Sequence, residues 1–260
     1  VLRDIYKDTL ENNAKQQIFL VGEVGVGKKS IVDAFLRTLP QNEALVVRAT
    51  SRPAHAQTPF EILADLCRDF MGLAEGASPT EVWRRIERAL FFIYPGKEKS
   101  DEAIKSVEAV AQLLGGWPEG ATGPFEMDGD ELKERLFSLL LHAEQQMSFG
   151  RAMILIGEDA QYSDDATLEL FGRLVTHDTK RPIFGIVTSS AEKRVLKAAG
   201  AANSAIIEVQ SLPDAEATEL IQSLMGDGAA STALVKEILT KTDGNPLYIR
   251  EVIGVLGDTG

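Results

Sequence analysis

The sequence predicts an α/β fold built around a mainly parallel sheet. Five short apolar runs alternate with longer segments of helical periodicity, and apolar and polar residues hardly alternate within the runs. Continuous apolar runs are typical of strands that are covered by helices on both faces. The predicted strands are residues 18–21, 44–48, 152–156, 183–187 and 205–209.

The helical segments between these runs carry recognisable start and stop signals. After the first run, a glycine-rich loop leads into a segment whose apolar residues at 31, 32, 35, 36 and 39 recur at helical spacing. Residues 52–150 are predicted to form a helical insertion, interrupted by a glycine- and proline-rich loop at 115–128. Ser78 with Pro79 and Glu81 predicts one helix start in it, and Asp128 with Glu131 predicts another.

The last part of the chain predicts a different architecture. Strand signals cease after Leu212, and residues 213–256 have the periodicity of three helices. We therefore expect an α/β core over residues 1–211 and a small helical domain, truncated, over residues 212–260. No secondary structure is evident before the first strand, and the chain is expected to be a fragment of a longer protein.

Composition excludes several classes of protein. The 260 residues carry a net charge of −12, which repels a phosphate backbone and makes nucleic acid an unlikely partner of this segment. No apolar run is long enough to span a bilayer, so no membrane partner is expected. Cys67 is the single cysteine, which excludes an internal disulfide and favours a cytoplasmic location.

The loop after the first strand predicts a phosphate-binding site. It matches the pattern G-x-x-x-x-G-K, in which backbone N–H groups and the N-terminus of the next helix hold phosphate oxygens, and the lysine reaches the β- and γ-phosphates. A plain strand–turn–helix with tightly packed glycines is the alternative. The candidate nucleotide-binding residues are Gly22, Glu23, Val24, Gly25, Val26, Gly27, Lys28, Lys29 and Ser30.

One position of this loop departs from the pattern. The residue after the lysine should carry a hydroxyl that binds the magnesium of the nucleotide, but it is Lys29. The hydroxyl of Ser30 lies about 100° further around the helix, so it is not expected to reach the metal. Lys29 therefore argues against Mg²⁺, although ATP or ADP remains the expected ligand.

Two acids end the third predicted strand. Glu158 is the candidate metal ligand, and both Glu158 and Asp159 are candidate catalytic residues, because acids at this place hold magnesium and polarise the attacking water in nucleotide hydrolases. A solvated acidic loop is the alternative interpretation. After the fourth strand, Thr188 is placed either to contact the γ-phosphate or to cap the next helix.

These segments together resemble the STAND class of AAA-type signalling ATPases, the P-loop NTPase modules of large bacterial regulators, kinases and cyclases. The resemblance is carried by "GEVGVGKKS", "TPFEILADL", "ILIGEDAQYSDDATLELF" and "DGNPLYIREV". It implies a three-layer core with five strands in the order 5-1-4-3-2, ATP or ADP as ligand, and Pro246 near the nucleotide. It also implies an effector domain before this module, a sensor domain after it, and a switch driven by exchange or hydrolysis.

The departures from that family weaken hydrolysis more than the fold. Lys29 replaces the hydroxyl residue, Glu158 replaces aspartate, and Ser190 stands where many relatives carry arginine. The leading segment that helps to hold adenine is missing or shortened before Leu2. Lys29 is expected either to pair with Glu158 and fill the magnesium site, or to point into solvent while water completes the metal shell.

Three functions are compatible with these residues. The first is a degenerate signalling switch that binds ATP or ADP with weak or no hydrolysis, and that is able to self-associate. The second is a pseudo-ATPase scaffold for protein contacts that no longer binds nucleotide. The third is an active AAA-type ATPase of the DNA-loading kind, which the acidic charge disfavours.

Overall fold

The computed structural model describes residues 1–53, 58–74, 76–121, 125–177, 181–190, 193–199, 204–226 and 231–258. Its sheet has five parallel strands in the order β2-β3-β4-β1-β5. This is the predicted order 5-1-4-3-2, and the predicted α/β class is confirmed. The strands are β1 (Lys15–Val21), β2 (Ala44–Thr50), β3 (Ala152–Glu158), β4 (Ile183–Ser189) and β5 (Ser204–Glu208).

Eleven helices within the described residues surround or follow this sheet. A short 3-10 helix, Ala160–Tyr162, also follows β3. The helices are α1 (Leu2–Glu11), α2 (Lys28–Arg37), α3 (Glu61–Met71), α4 (Pro79–Ile93), α5 (Asp101–Leu114), α6 (Gly129–Met147), α7 (Asp165–Thr176), α8 (Lys193–Ala199), α9 (Asp214–Met225), α10 (Thr232–Thr242) and α11 (Pro246–Asp258).

The register of the strands brings their carboxyl ends to one edge. Val21 pairs with Ser189 of β4 on one side and with Glu208 of β5 on the other. Thr50 of β2 lies opposite Glu158 of β3. The loops after β1, β2, β3 and β4 therefore meet at the edge where such sheets bind ligands.

One face of the sheet is covered by α1 and α2. Leu2 and Tyr6 of α1 pack with Phe35 of α2 against Phe184, which is fully buried in β4. The expectation that no secondary structure precedes the first strand is wrong. Leu2, Ile5, Tyr6 and Leu10 recur at helical spacing, so the signal for α1 was present in the sequence, and these residues pack on the sheet.

The opposite face is covered mainly by α7, but the two edge strands are less enclosed than predicted. In β5, Ile206 is 52% exposed, and in β2, Val46 is 42% exposed. The expectation that helices cover both faces of every strand is therefore wrong for these two. An edge strand is paired on one side only, so helices above the sheet do not enclose it completely.

Helices α3 to α6 form the insertion between β2 and β3, with a hydrophobic core of their own. Both predicted helix starts are present. The Ser78 hydroxyl accepts the N–H of Glu81 at the start of α4, and the Asp128 carboxylate accepts the N–H of Glu131 at the start of α6.

Helices α9, α10 and α11 form the C-terminal helical region. Their apolar residues, including Ala217, Ile221, Ile238 and Ile249, make a separate buried cluster. The three predicted helices are therefore present, and this region is anchored by its own core. In the described part of the chain, no helix has the length and apolarity that crossing a bilayer requires.

Candidate functional site

The glycine loop joins β1 to α2 at the carboxyl edge of the sheet. The N–H of Gly22 donates to the Ser189 carbonyl of β4 (3.2 Å), which fixes the start of the loop. Gly25 and Gly27 have φ values of +89° and +100°, a region that side chains rarely adopt. In the described part of the chain no side chain caps α2, so its first N–H groups are left for a bound anion.

Lys28 is the first residue of α2, and its side chain turns into the loop. It is 7% exposed, and its Nζ donates to the carbonyls of Gly22 and Glu23, both at 2.7 Å. Burial lowers the pKa of this ammonium, and the negative charge of Asp159 opposes that effect. The lysine is thus held where the pattern predicts that phosphate oxygens bind.

The C-terminal helical region contacts the loop directly. Asn245, 1% exposed, donates from Nδ2 to the Val24 carbonyl at 3.0 Å. A Cβ on Gly25 would meet Leu247 Cβ at 2.4 Å, so the loop is packed closely against the start of α11. Pro246 begins α11 and lies between these two contacts, while Asn245 was not among the predicted site residues. Its position inside the Gly244-Asn245-Pro246 element was the available signal.

Glu158, the predicted metal ligand, is 2% exposed and already has close partners. Its Oε1 accepts from the Arg48 guanidinium, and its Oε2 accepts from the Thr50 hydroxyl at 2.9 Å. Both partners lie on β2, which pairs with β3 in the register that places Thr50 opposite Glu158. The carboxylate is therefore fixed by the neighbouring strand.

Arg48 joins this acid to α2. Its second guanidinium nitrogen donates to Asp33 Oδ1 at 2.7 Å, and the pair with Glu158 raises the pKa of the guanidinium. Arg48 was not among the predicted site residues. The only sequence signal was a cation at the end of an otherwise apolar strand, and the register of β2 with β3 was needed to place it beside Glu158.

Lys29 lies on the outside of the same group. Its Nζ is 3.8 Å from Glu158 Oε2, and the side chain is 68% exposed. An ion pair at that distance and exposure contributes little to stability. Ser30 is exposed. The pairing of Lys29 with Glu158 is therefore present in the structure, but Arg48 makes the closer contact.

Asp159 follows Glu158 in a left-handed backbone conformation, with φ of +54°. Its N–H donates to the Thr188 hydroxyl (3.0 Å), and its Oδ1 accepts a long hydrogen bond from Gln161 Nε2 (3.4 Å). Thr188 is 2% exposed and thus positions the backbone of Asp159. The roles of Thr188 toward phosphate and of Asp159 toward water stay predictions.

The turn after Asp159 is tied to β4 and α8. Gln161 Oε1 accepts from the Ser189 hydroxyl (3.2 Å) and from the N–H of Ser190 (3.1 Å). An arginine, Arg194, is near, but its guanidinium donates to the carbonyls of Gln161 and Ser163. Its charge is therefore engaged by the turn after β3.

The residues at this edge fit a phosphate better than a metal ion. A positive-φ glycine loop, a helix N-terminus and a buried lysine match the chemistry of phosphate oxygens. Magnesium requires free oxygen ligands, but Glu158 is engaged by Arg48 and Thr50, with the Lys29 ammonium beside it. Among the described residues, no group of three or more His, Cys, Asp or Glu is placed to hold a metal ion.

Two family models match the chain. Residues 1–187 match AAA_16, described as an AAA ATPase domain, and residues 213–259 match DUF8739, a domain of unknown function. No curated protein is similar enough to the chain to match it.

Solved structures with a similar fold include that of the Aeropyrum pernix ORC1 protein in complex with DNA. It superposes with a TM-score of 0.57 at 11% identity, over 99% of this chain and 58% of that one. This chain thus spans little more than half the length of that protein, and the likeness shows the fold alone. A match to Drosophila ORC bound to DNA covers 81% of this chain and 89% of the other, at 10% identity and a TM-score of 0.33, and supports no argument.

Proposed function

Because the chain belongs to the AAA ATPase domain family, we propose that it is an ATP- and ADP-binding switch module with weak or no hydrolysis. The observation that carries this proposal is the division of the site. The glycine loop and Lys28 retain the chemistry for phosphates, whereas the Glu158 carboxylate is held by Arg48 and Thr50. The proposed host is a bacterial signal-transduction protein of the STAND type.

Nucleotide binding is supported by the loop geometry. Lys28 and the first N–H groups of α2 would hold the phosphates, and the exposed Lys29 ammonium, 3.8 Å from Glu158 Oε2, is a second positive charge at the same edge of the sheet. Two ammoniums offset part of the phosphate charge that magnesium neutralises in other nucleotide sites. Asp159 would then face the phosphates without a metal ion held by Glu158.

Weak hydrolysis follows from the charges at the end of β3. Phosphoryl transfer depends on positioned cations and on an oriented water molecule. Glu158 is committed to Arg48, and Ser190 stands where a positive side chain is expected from the resemblance. The pairing of Glu158 with Arg48 and the serine at position 190 both reduce the stabilisation of charge in the transition state. Neither of them lowers the affinity for the nucleotide in the ground state.

Signal output is supported by the contact between the loop and the C-terminal helices. Asn245 bonds to the Val24 carbonyl, and Gly25 packs on Leu247. Any conformational change of the loop on nucleotide exchange would therefore alter the position of α11, which packs against it. We propose that this movement reaches effector and sensor domains elsewhere in a longer protein, and that self-association occurs in one nucleotide state.

A second function, a scaffold that no longer binds nucleotide, is favoured by one observation. The Lys28 ammonium is already satisfied by two carbonyls of its own loop. General nucleic-acid binding is not proposed, because the net charge of −12 opposes it.

Fluorescence titration with N-methylanthraniloyl derivatives of ATP and ADP, combined with a phosphate-release assay, tests the proposal. We expect saturable binding of both nucleotides and turnover far below about 1 per second, the low end of ordinary enzyme rates. Binding of neither nucleotide would support the scaffold. Turnover near that rate would identify an active ATPase instead.

A further inference from the structure

A cavity lies away from the glycine loop, between the sheet and the helical insertion. Its volume is about 460 Å³, and its walls come from β2, β3 and the helices α3 to α7. Cavities of this size bind small molecules in many proteins. No pattern in the sequence signals it.

The walls of this cavity are almost wholly apolar. They include Leu45 and Val47 of β2, Leu63 and Cys67 of α3, and Leu140 and Ala143 of α6. The surroundings raise the pKa of the Cys67 thiol to about 12, because an apolar environment disfavours the thiolate. The interior thus disfavours charge.

The cavity separates two hydrophobic cores. The core of the insertion, with Leu63, Ile86 and Leu90, and the core under the sheet, with Met153 and Leu155, are distinct clusters. All five residues line the cavity. Side chains on opposite walls therefore leave a gap that neither cluster fills, and each wall forgoes van der Waals contacts there.

The charged residues of the lining are already engaged or lie at the surface. Arg48 pairs with Glu158 and Asp33, and Glu144 pairs with Arg181. Asp69 is exposed, as are its neighbours Phe70 and Val46, which mark the open side of the cavity. Because an apolar interior offers water few hydrogen bonds, water fills such a space poorly.

We propose that this cavity binds one small, uncharged, apolar molecule. The volume of the cavity lies in the range of small-molecule pockets, and its lining offers very few polar groups to a polar ligand. A charged amphiphile would leave its charge among apolar walls. The site goes beyond nucleotide binding, and its occupancy is independent of the glycine loop.

The test uses N-phenyl-1-naphthylamine, a neutral apolar dye whose fluorescence rises in apolar surroundings. We expect one saturable site in the unaltered chain and at least tenfold weaker binding in Ala143→Trp, which fills the cavity from α6. The matched control is Gln145→Trp, which places the same ring on the exposed side of α6 and should leave the affinity unchanged.

A second measurement keeps the test decisive if Ala143→Trp does not fold. Cys67 is the single cysteine, so the rate of its reaction with a neutral maleimide reports on this cavity alone. Saturating dye should slow that reaction several-fold in the unaltered chain. Dye binding that leaves the rate unchanged, or that is equal in the two tryptophan variants, would overturn the proposal and assign the dye to exposed aromatics such as Phe91 and Phe92.

Discussion

The glycine loop and the acidic end of β3 lie at the same edge of the sheet, but they retain different amounts of nucleotide chemistry. The loop keeps its positive-φ glycines, the start of α2 and an inward lysine. At the end of β3, Glu158 is paired with a guanidinium and flanked by a second ammonium. We call the glycine loop with Lys28 the phosphate half of the site, and Glu158 with its partners Arg48, Thr50 and Lys29 the metal half. The phosphate half keeps the features of a nucleotide-binding loop, whereas the metal half lacks a free carboxylate for a metal ion.

The difference teaches that the two halves depend on different parts of the chain. The proposed phosphate site depends mainly on the loop backbone, which the glycines and the packing against α11 determine. A metal site depends on individual side chains. Two cationic side chains, Lys29 and Arg48, are therefore enough to supply the positive charge that a metal ion would place beside Glu158. Under the proposed function, this chain loses metal chemistry while it keeps a phosphate site.

The largest effect is expected when the ion pair of the metal half is broken. Arg48→Met leaves Glu158 buried without its guanidinium, and we expect a loss of about 4 kcal/mol of unfolding free energy in urea. The control is Arg68→Met, because Arg68 pairs with half-exposed acids on its own helix and should cost less than about 1 kcal/mol. Equal losses would mean that the Arg48 pair is an ordinary surface contact.

The double variant Arg48→Met with Glu158→Met refines that result. Replacing both charges by apolar side chains removes the unpaired carboxylate, so most of the lost stability should return. Urea unfolding of the double variant and of Arg48→Met measures the free energy of unfolding that is recovered. A double variant that is no more stable than Arg48→Met would show that packing around Arg48, rather than its charge, holds β2 to β3.

The next largest effect concerns the backbone of the phosphate half. Gly25→Ala brings a Cβ against Leu247 and Asn245 in addition to the strain of a positive φ, and should cost about 3 kcal/mol. Gly27→Ala is the matched control, since its φ is also positive but a Cβ there meets nothing within 4 Å, and it should cost about 1 kcal/mol. Thermal melts compare the two variants. Equal losses would show that α11 does not press on the loop.

A small effect is expected for Asp159→Asn. Asparagine tolerates the left-handed conformation as well as aspartate, and the one long hydrogen bond to Oδ1 survives, so the main cost is the loss of a negative charge near the Lys28 ammonium and stability should change by less than about 1 kcal/mol. Asp164→Asn serves as a contrast, because that carboxylate accepts from Phe60 and Thr167 and should cost about 1–2 kcal/mol. A larger loss at 159 than at 164 would make Asp159 a structural residue.

Much of the fold was predictable because its signals are local. The apolar runs, the glycine loop and the helix caps each lie within a few residues of sequence, and each appears in the structure at the expected place. The edge exposure of β2 and β5 depends on strand order, which periodicity does not show, whereas α1 has apolar residues at helical spacing and was overlooked.

The site shows the same limit more sharply. The pattern predicts the loop and Lys28 as site residues, and the pairing of Lys29 with Glu158 was one of two stated alternatives. Arg48 meets Glu158 across 110 residues of sequence, and Asn245 meets Val24 across 221. Contacts between residues so far apart follow from strand register and domain packing, which a single sequence does not display.

Calorimetric titration of ATP into the unaltered chain, once with Mg²⁺ and once with EDTA, tests the divided site most directly. We expect the two dissociation constants to agree closely, because Arg48 and Lys29 already hold Glu158 and no metal is needed there. Binding that is tighter with Mg²⁺ by about tenfold or more, equivalent to about 1.4 kcal/mol, would contradict the account.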